Sequence, residues 1–316
     1  MLIGRSSRTR LRQRGPVGPS ELDAVPVQRR NLDSARSLVA GHSITGIHVA
    51  SMLSRPLTGR RAHRGLWLFS DRARPIAVAQ HSRGISFVVD PQRREDGHVV
   101  PALTQFVSRA VVVSEVLFGD ESLIRSILDA GRQRGLAAPE IRRQELMAAG
   151  LLVSPPGSPP VDGFRLRAAR ADDLPWLLSA HAAMCREDLG VDQVTRNRDG
   201  YDEYFTGLIA QDRSRIGELD GSPVFKAEYP VESADARLIE GVYTLPRVRG
   251  RGLASWAMRH AIVDAAREGK KACLYVHLHN ATARRIYRRV GFRVVSPWLT
   301  AVVSRERRVA GRPVEL

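Results

Sequence analysis

The stretch TLPRVRGRGLAS, Thr244 to Ser255, decides the reading of this chain. It runs from the end of a strand-like segment through a proline into a loop that alternates arginine and glycine, and then into a helix start. Glycine allows left-handed backbone and puts no Cβ in the way of an approaching group. Such a loop turns several backbone N–H groups toward one point at the positive end of a helix dipole. That is an anion site, and phosphate is its usual occupant.

The flanks are regular. LIEGVYT, Leu238 to Thr244, reads as the strand leading in. LASWAMRHAIVDAAREG follows as a helix, with Leu253, Ala257, Ala261 and Ala265 on one face and Gly269 as its stop. ACLYV, Ala272 to Val276, is a strand, and NATARRIYRRVGF, Asn280 to Phe292, is a helix capped by Asn280 and stopped by Gly291. Upstream lie a strand from Phe164, a helix from Ala171 to Gly190 with Asp172 and Asp173 in its first turn, and a helix from Tyr201 to Gln211. A hairpin from Arg215 to Tyr229 turns at Asp220-Gly221. FRVV and LTAVV close the chain as strands.

This β-α-α-β-β-β-α-β-α-β-β order resembles the GNAT (Gcn5-related) N-acetyltransferase family over residues 164–316. Two motifs carry the resemblance. The acetyl-CoA loop, Arg-x-x-Gly-x-Gly/Ala, fits at Arg247, Gly250 and Gly252 and again at Arg249, Gly252 and Ala254, and Pro246 selects the second register. The helix motif is met by Asn280, Ala283, Tyr287, Gly291 and Phe292. The resemblance implies an α/β (α+β) GNAT fold with a mixed central sheet, acetyl-CoA as co-substrate and no metal. It implies that the pantetheine arm enters between the strands Leu238–Thr244 and Ala272–Val276, parted by a bulge. The backbone of Val242, Tyr243 and Thr244 would pair with the arm. Arg249, Gly250, Arg251, Gly252, Leu253, Ala254 and Ser255 would form the pyrophosphate cradle, and Asn280 would contact the cofactor while capping its helix.

Acetyl transfer to an amine raises two proton problems. An alkyl ammonium has a pKa of about 10.4, so deprotonation at neutral pH costs roughly 4.6 kcal/mol. The leaving thiolate accepts a proton easily from a neutral phenol. Tyr287 matches the family's general acid. Glu240 is the first candidate for the base, and a plain salt-bridged carboxylate accounts for it equally well. Where some relatives carry a glutamate base, five residues before the motif asparagine, this chain has Tyr275. Strand alternation puts Cys273, Tyr275 and His277 on one face. His277 is a secondary candidate for relaying a proton to water, His279 a weaker one, and Cys273 reads as packed core. Water and backbone carbonyls serve as the base in several members of the family.

The 316 residues fit roughly two domains at about 150 residues each. Residues 1–32 are rich in Arg, Pro, Gly and Ser and read as a disordered arm. Residues 33–152 form a mixed α/β unit that resembles the degenerate GNAT-like domain preceding the acetyltransferase domain in some actinobacterial proteins, without a cofactor loop of its own. One CoA site per chain is expected. SPPGSPPVDG makes 153–163 a linker. The N-terminal unit either covers the acceptor cleft or joins two copies of the chain as a homodimer.

The net charge is +16, but Arg supplies 46 of the 49 basic residues, a bias that reads as genome composition rather than a nucleic-acid footprint. Two cysteines, Cys185 and Cys273, make no disulfide framework, and no apolar run is long enough to span a bilayer. The arginines near the N-terminus lack the apolar core of a secretory signal, so a cytoplasmic protein with no membrane partner is expected. The reading is an acetyl-CoA-dependent N-acetyltransferase acting on an amine of a small molecule or protein. The alternatives are an acyl-CoA-binding regulatory module without turnover and, further off, a nucleic-acid-binding protein using the Arg-rich arm.

Overall fold

The computed structural model describes residues 22–55, 65–82, 84–151, 154 and 156–306. The N-terminal half contributes β1 (Asp23–Pro26), α1 (Leu32–Val39), α2 (Ile47–Leu53), β2 (Leu66–Asp71), β3 (Arg74–His81), β4 (Ile85–Val89), α3 (Val99–Ala110), β5 (Ser114–Asp120), α4 (Glu121–Arg132) and β6 (Leu136–Ala149). The C-terminal half contributes β7 (Phe164–Ala168), α5 (Leu174–Leu189), α6 (Gln193–Arg196), α7 (Arg198–Ala210), β8 (Ser214–Leu219) and β9 (Ser222–Glu232). It continues with β10 (Ala236–Thr244), α8 (Leu253–Arg267), β11 (Lys271–His277), α9 (Ala281–Val290) and β12 (Phe292–Arg305).

Local chemistry sets the boundaries. Asp120 accepts from the backbone N–H groups of Ser122 and Leu123 and so caps α4. Asp220 and Gly221 both have positive φ, as a tight turn between β8 and β9 requires. Asn280 accepts from the Ala283 N–H at 3.0 Å to start α9, and Gly291 ends it at φ +113°.

Among the described residues twelve strands join one mixed sheet in the order β1-β2-β3-β4-β5-β12-β6-β11-β10-β9-β8-β7. Only β4–β5 and β10–β11 pair in parallel among the described residues. Helices cover both faces of each half. In the C-terminal half α8 and α9 bury Met258, Ile262 and Tyr287 on one side, and α5 and α7 bury Leu177 and Phe205 on the other. In the N-terminal half α3 and α4 cover one face and α1 and α2 the other.

The centre of the sheet holds an exchange. β6, from the N-terminal half, lies between β11 and β12, while β12, from the C-terminal half, lies between β5 and β6. Each half completes its sheet with the other's last strand. The β6–β12 register runs from Phe292 opposite Ala149 to Arg305 opposite Leu136. Pro139 falls where that register shifts, in a bulge that has no use for its missing N–H.

Several expectations change. The two closing strands are one strand, β12, with a register shift near Val295. β6 carries no strand signal in the sequence, because charged residues interrupt its alternation. β1 pairs with β2 within the segment expected to be a disordered arm, so the ordered chain starts before residue 33. The rest of the arm, 1–21 with its arginines, lies outside the described residues. In the expected linker 153 and 155 also lie outside, as does 152 before it, while Gly157 accepts from the Trp256 indole at 2.7 Å, tying the segment to α8.

Candidate active site

β10 and β11 pair only from Ala236–Lys271 to Leu238–Cys273 and then part. On its other edge β10 slips register against β9 twice, on either side of the Glu240–Glu228 pair. Gly241 lies in the second slip, with φ +60°. The bulge bends β10 away from β11, and the gap opens into a cleft of about 890 Å³.

At one end of the cleft β10 passes through Pro246 into the Arg/Gly loop. Gly250 and Gly252 have φ of +77° and +82°, and Gly252 precedes the first turn of α8. The first N–H groups of a helix have no acceptor within it and point outward. A Cβ added at Gly250 would meet nothing within 4 Å, and one at Gly252 only Pro160, at 3.3 Å. The loop is braced from behind. Arg249 donates to the Thr244 carbonyl at 2.9 Å and to Glu187 of α5 at 2.7 Å, and Tyr243 donates to the same carboxylate at 2.7 Å. Burial and that hydrogen bond push the Tyr243 phenol up to about 12.

On the far side of the gap α9 presents Asn280 and Tyr287. Burial, followed by the charge of Asp188, keeps the Tyr287 phenol above its ordinary range and therefore protonated. Glu145, on the exchanged strand β6, binds Arg284 through both oxygens at 3.0 and 2.7 Å and takes Arg288 at 3.0 Å. A residue of the N-terminal half thus fixes the helix that carries Tyr287.

The deep end is acidic and aromatic. Asp188, Glu228 and Glu240 line it. Lys226 is fully buried there and donates to both Glu228 oxygens, at 2.9 and 3.0 Å, and to the Gly241 carbonyl at 2.8 Å. Its ammonium also faces the ring of Phe205 at 5.6 Å and the Nδ1 of His181 at 3.4 Å. Burial, then the Lys226 charge, lowers His181 well below its ordinary pKa, so it is neutral. Tyr275 stacks on Trp298 at 5.0 Å, with its hydroxyl buried and without a hydrogen-bond partner among the described residues. His277 and His279 stack at 5.1 Å, and burial lowers the His277 pKa against the pull of Asp188. The N-terminal half supplies His48, Phe118, Arg142 and Gln144 to this end.

Of the residues singled out in the sequence, Glu240, Val242, Tyr243, Thr244, Arg249, Gly250, Gly252, Leu253, Ala254, Ser255, Asn280 and Tyr287 all line one cleft. Arg251 does not line it and is exposed. Cys273 is fully buried, with burial raising its thiol pKa. Sequence reasoning missed Lys226, Glu228 and His181. Two of the three are charged residues in an otherwise apolar strand, VFKAEY, and that was the available signal. No group of three His, Cys, Asp or Glu among the described residues could hold a metal, and none of their helices is long and apolar enough to cross a membrane.

The family model described as "Acetyltransferase (GNAT) family" matches residues 177–292. A GCN5-related N-acetyltransferase from Sphaerobacter thermophilus superposes with a TM-score of 0.61 at 18% identity, covering 92% of this chain and 97% of its own. A tandem GNAT protein from the clavulanic acid biosynthesis pathway gives 0.56 at 12% identity, over 91% and 99%. At these identities the likeness is one of fold, and both structures extend it over the N-terminal half. No curated protein sequence matches the chain.

Proposed function

We propose that this chain, whose residues 177–292 carry a GNAT-family acetyltransferase domain, is an acetyl-CoA-dependent N-acetyltransferase that acts on an amine of a small molecule or protein. The observation that carries the proposal is the parting of β10 from β11 directly below a glycine loop at the start of α8. The free edge of Val242, Tyr243 and Thr244 offers backbone groups to a pantetheine arm as an added strand would. The N–H groups from Gly250 to Ser255 then meet its pyrophosphate, helped by the dipole of α8. The thioester supplies an activated acetyl group, and the chain's residues supply orientation and proton transfer.

Tyr287, which lines the cleft and stays protonated, would protonate the leaving sulfur. Glu240 lines the same cleft beside Glu228, and a carboxylate there would take the ammonium's proton. The acidic deep end attracts a cationic acceptor and leaves the basic loop to the phosphates.

Calorimetric titration of acetyl-CoA into the full chain, with coenzyme A alongside, tests this. Micromolar binding at one site per chain is expected, and no binding at millimolar ligand refutes the proposal. Gly252→Glu places a side chain and a negative charge in the cradle at a left-handed position. It is expected to weaken acetyl-CoA binding by at least about 30-fold, or 2 kcal/mol, with the fold retained by circular dichroism. Tyr287→Phe is expected to lower kcat by roughly 10²-fold while the acetyl-CoA Kd stays the same. An unchanged kcat across the pH profile would remove Tyr287 from the chemistry.

A further inference from the structure

Glu228 is 1% exposed, yet it lines the cleft. Its carboxylate stands against Gly241: a Cβ built on that glycine would lie 1.4 Å from Glu228 Oε2. On the reading above, the pantetheine runs down β10 from the loop past Thr244, Tyr243 and Val242. Gly241 is the next residue inward, so the Glu228 carboxylate lies at the thioester end. Lys226 fixes it there by donating to both of its oxygens and to the Gly241 carbonyl.

We propose that Glu228 is the carboxylate that takes the acceptor's proton, with Lys226 as its positioning residue, an assignment that rests on the acetyltransferase reading. The acceptor ammonium gives one proton to Glu228. The freed nitrogen bonds to the thioester carbonyl carbon, the C–S bond breaks, and the thiolate takes a proton from Tyr287. The acylated nitrogen gives up its second proton to solvent, Glu228 releases its own there, and Tyr287 is reprotonated from solvent, so one proton leaves per acetyl group moved. The acceptor class is therefore an alkylamine that arrives protonated, rather than an alcohol or a thiol.

The surroundings suit this role. Burial pushes Glu228 up to about 7, Lys226 opposes that rise, and the neighbouring Glu240 on β10 adds to it. His181, from α5, faces the pair and is neutral. A carboxylate with this affinity for a proton accepts one at neutral pH far more readily than an ordinary glutamate. Below its pKa it is already protonated and cannot accept, so turnover falls on the acid side of neutrality.

The test follows CoA release from acetyl-CoA with a panel of free primary amines across pH. Alongside it run acetyl-CoA calorimetry and an infrared titration of the carboxyl band in the protein alone. Glu228→Gln is expected to lower kcat by about 10²-fold or more, to remove the acidic limb and to erase a carboxyl that titrates near neutrality, with the acetyl-CoA Kd unchanged. Glu240→Gln removes a charge that raises Glu228, so it should move the acidic limb to lower pH without removing it. If Glu228→Gln unfolds, Lys226→Met/Glu228→Gln, which leaves no buried ion, replaces it with the same expected losses. Wild-type kcat and limb in a folded variant lacking Glu228, or a titrating band that survives in it, overturns the proposal. Absence of acetyl-CoA binding to the wild-type chain overturns the acetyltransferase reading itself and is seen separately, in the calorimetry.

Discussion

Gly241→Ala is expected to abolish acetyl-CoA binding and to lower the unfolding midpoint by roughly 10 °C. Two effects add. The residue sits at φ +60°, where an L side chain is strained by about 1 kcal/mol or more. Its new methyl group would fall 1.4 Å from Glu228 Oε2 and 2.9 Å from Lys226 Nζ, so the buried ion pair has to move or β10 has to lose its bulge. Disrupting a buried pair costs about 3–5 kcal/mol. Flattening the bulge would bring β10 back toward β11 and close the gap through which the proposed pantetheine arm enters. Thermal unfolding and calorimetry of the variant check both halves of the expectation. A variant that unfolds like wild type and binds acetyl-CoA would mean that the bulge does not depend on glycine.

Lys226→Met is expected to destabilise the chain by about 3 kcal/mol at neutral pH and to make its stability strongly pH-dependent. Lys226 is the charge that holds the Glu228 pKa down against burial, so its removal raises that pKa further above 7. A carboxyl whose folded pKa exceeds its unfolded value, ordinarily 4.5, favours the folded state when protonated. That contribution is complete below the unfolded pKa and is lost as pH rises through the folded one. The variant should therefore unfold least easily in mild acid and most easily above neutrality, the reverse of ordinary acid denaturation. Lys226→Met combined with Glu228→Leu leaves no charge to bury and should recover most of the stability. Denaturant melts at several pH values separate these outcomes, and a single variant whose stability is flat with pH would contradict the pairing.

The sequence was most legible where function constrains the backbone. Gly250, Gly252 and Gly291 have positive φ, Asn280 caps its helix, and the hairpin turns at Asp220-Gly221, each read from residue type alone. These features are local: a few neighbouring residues determine them. β6 was not legible, because Glu145 and its neighbouring charges look solvated until Arg284 and Arg288, about 140 residues away, are brought beside them. Lys226 and Glu228 left only a faint signal, two charges in an apolar strand, for the same reason. Two residues apart on a strand, they share a face, but nothing in their own segment says that the face is a bulge closed over by α5. Tyr275 stood out as a departure from relatives that carry glutamate there. The structure relates that departure to packing, since the ring stacks on Trp298, a residue of the exchanged strand.

The exchange of β6 and β12 has the symmetry of a two-fold dimer in which each partner lends the other its last strand. Here both partners belong to one polypeptide. A strand-swapped pair of separate chains comes apart on dilution, and its sites vanish with it. In the fused form the lending is unimolecular, so the cleft is as complete at trace abundance as at high abundance. Fusion also removes the requirement that the two halves stay alike. One copy of the fold could lose its phosphate loop and remain indispensable, kept for the strand it lends and for Glu145 on it. A division of labour of that kind is open to any chain in which two like halves exchange their last strands, one half lending structure and the other carrying a site.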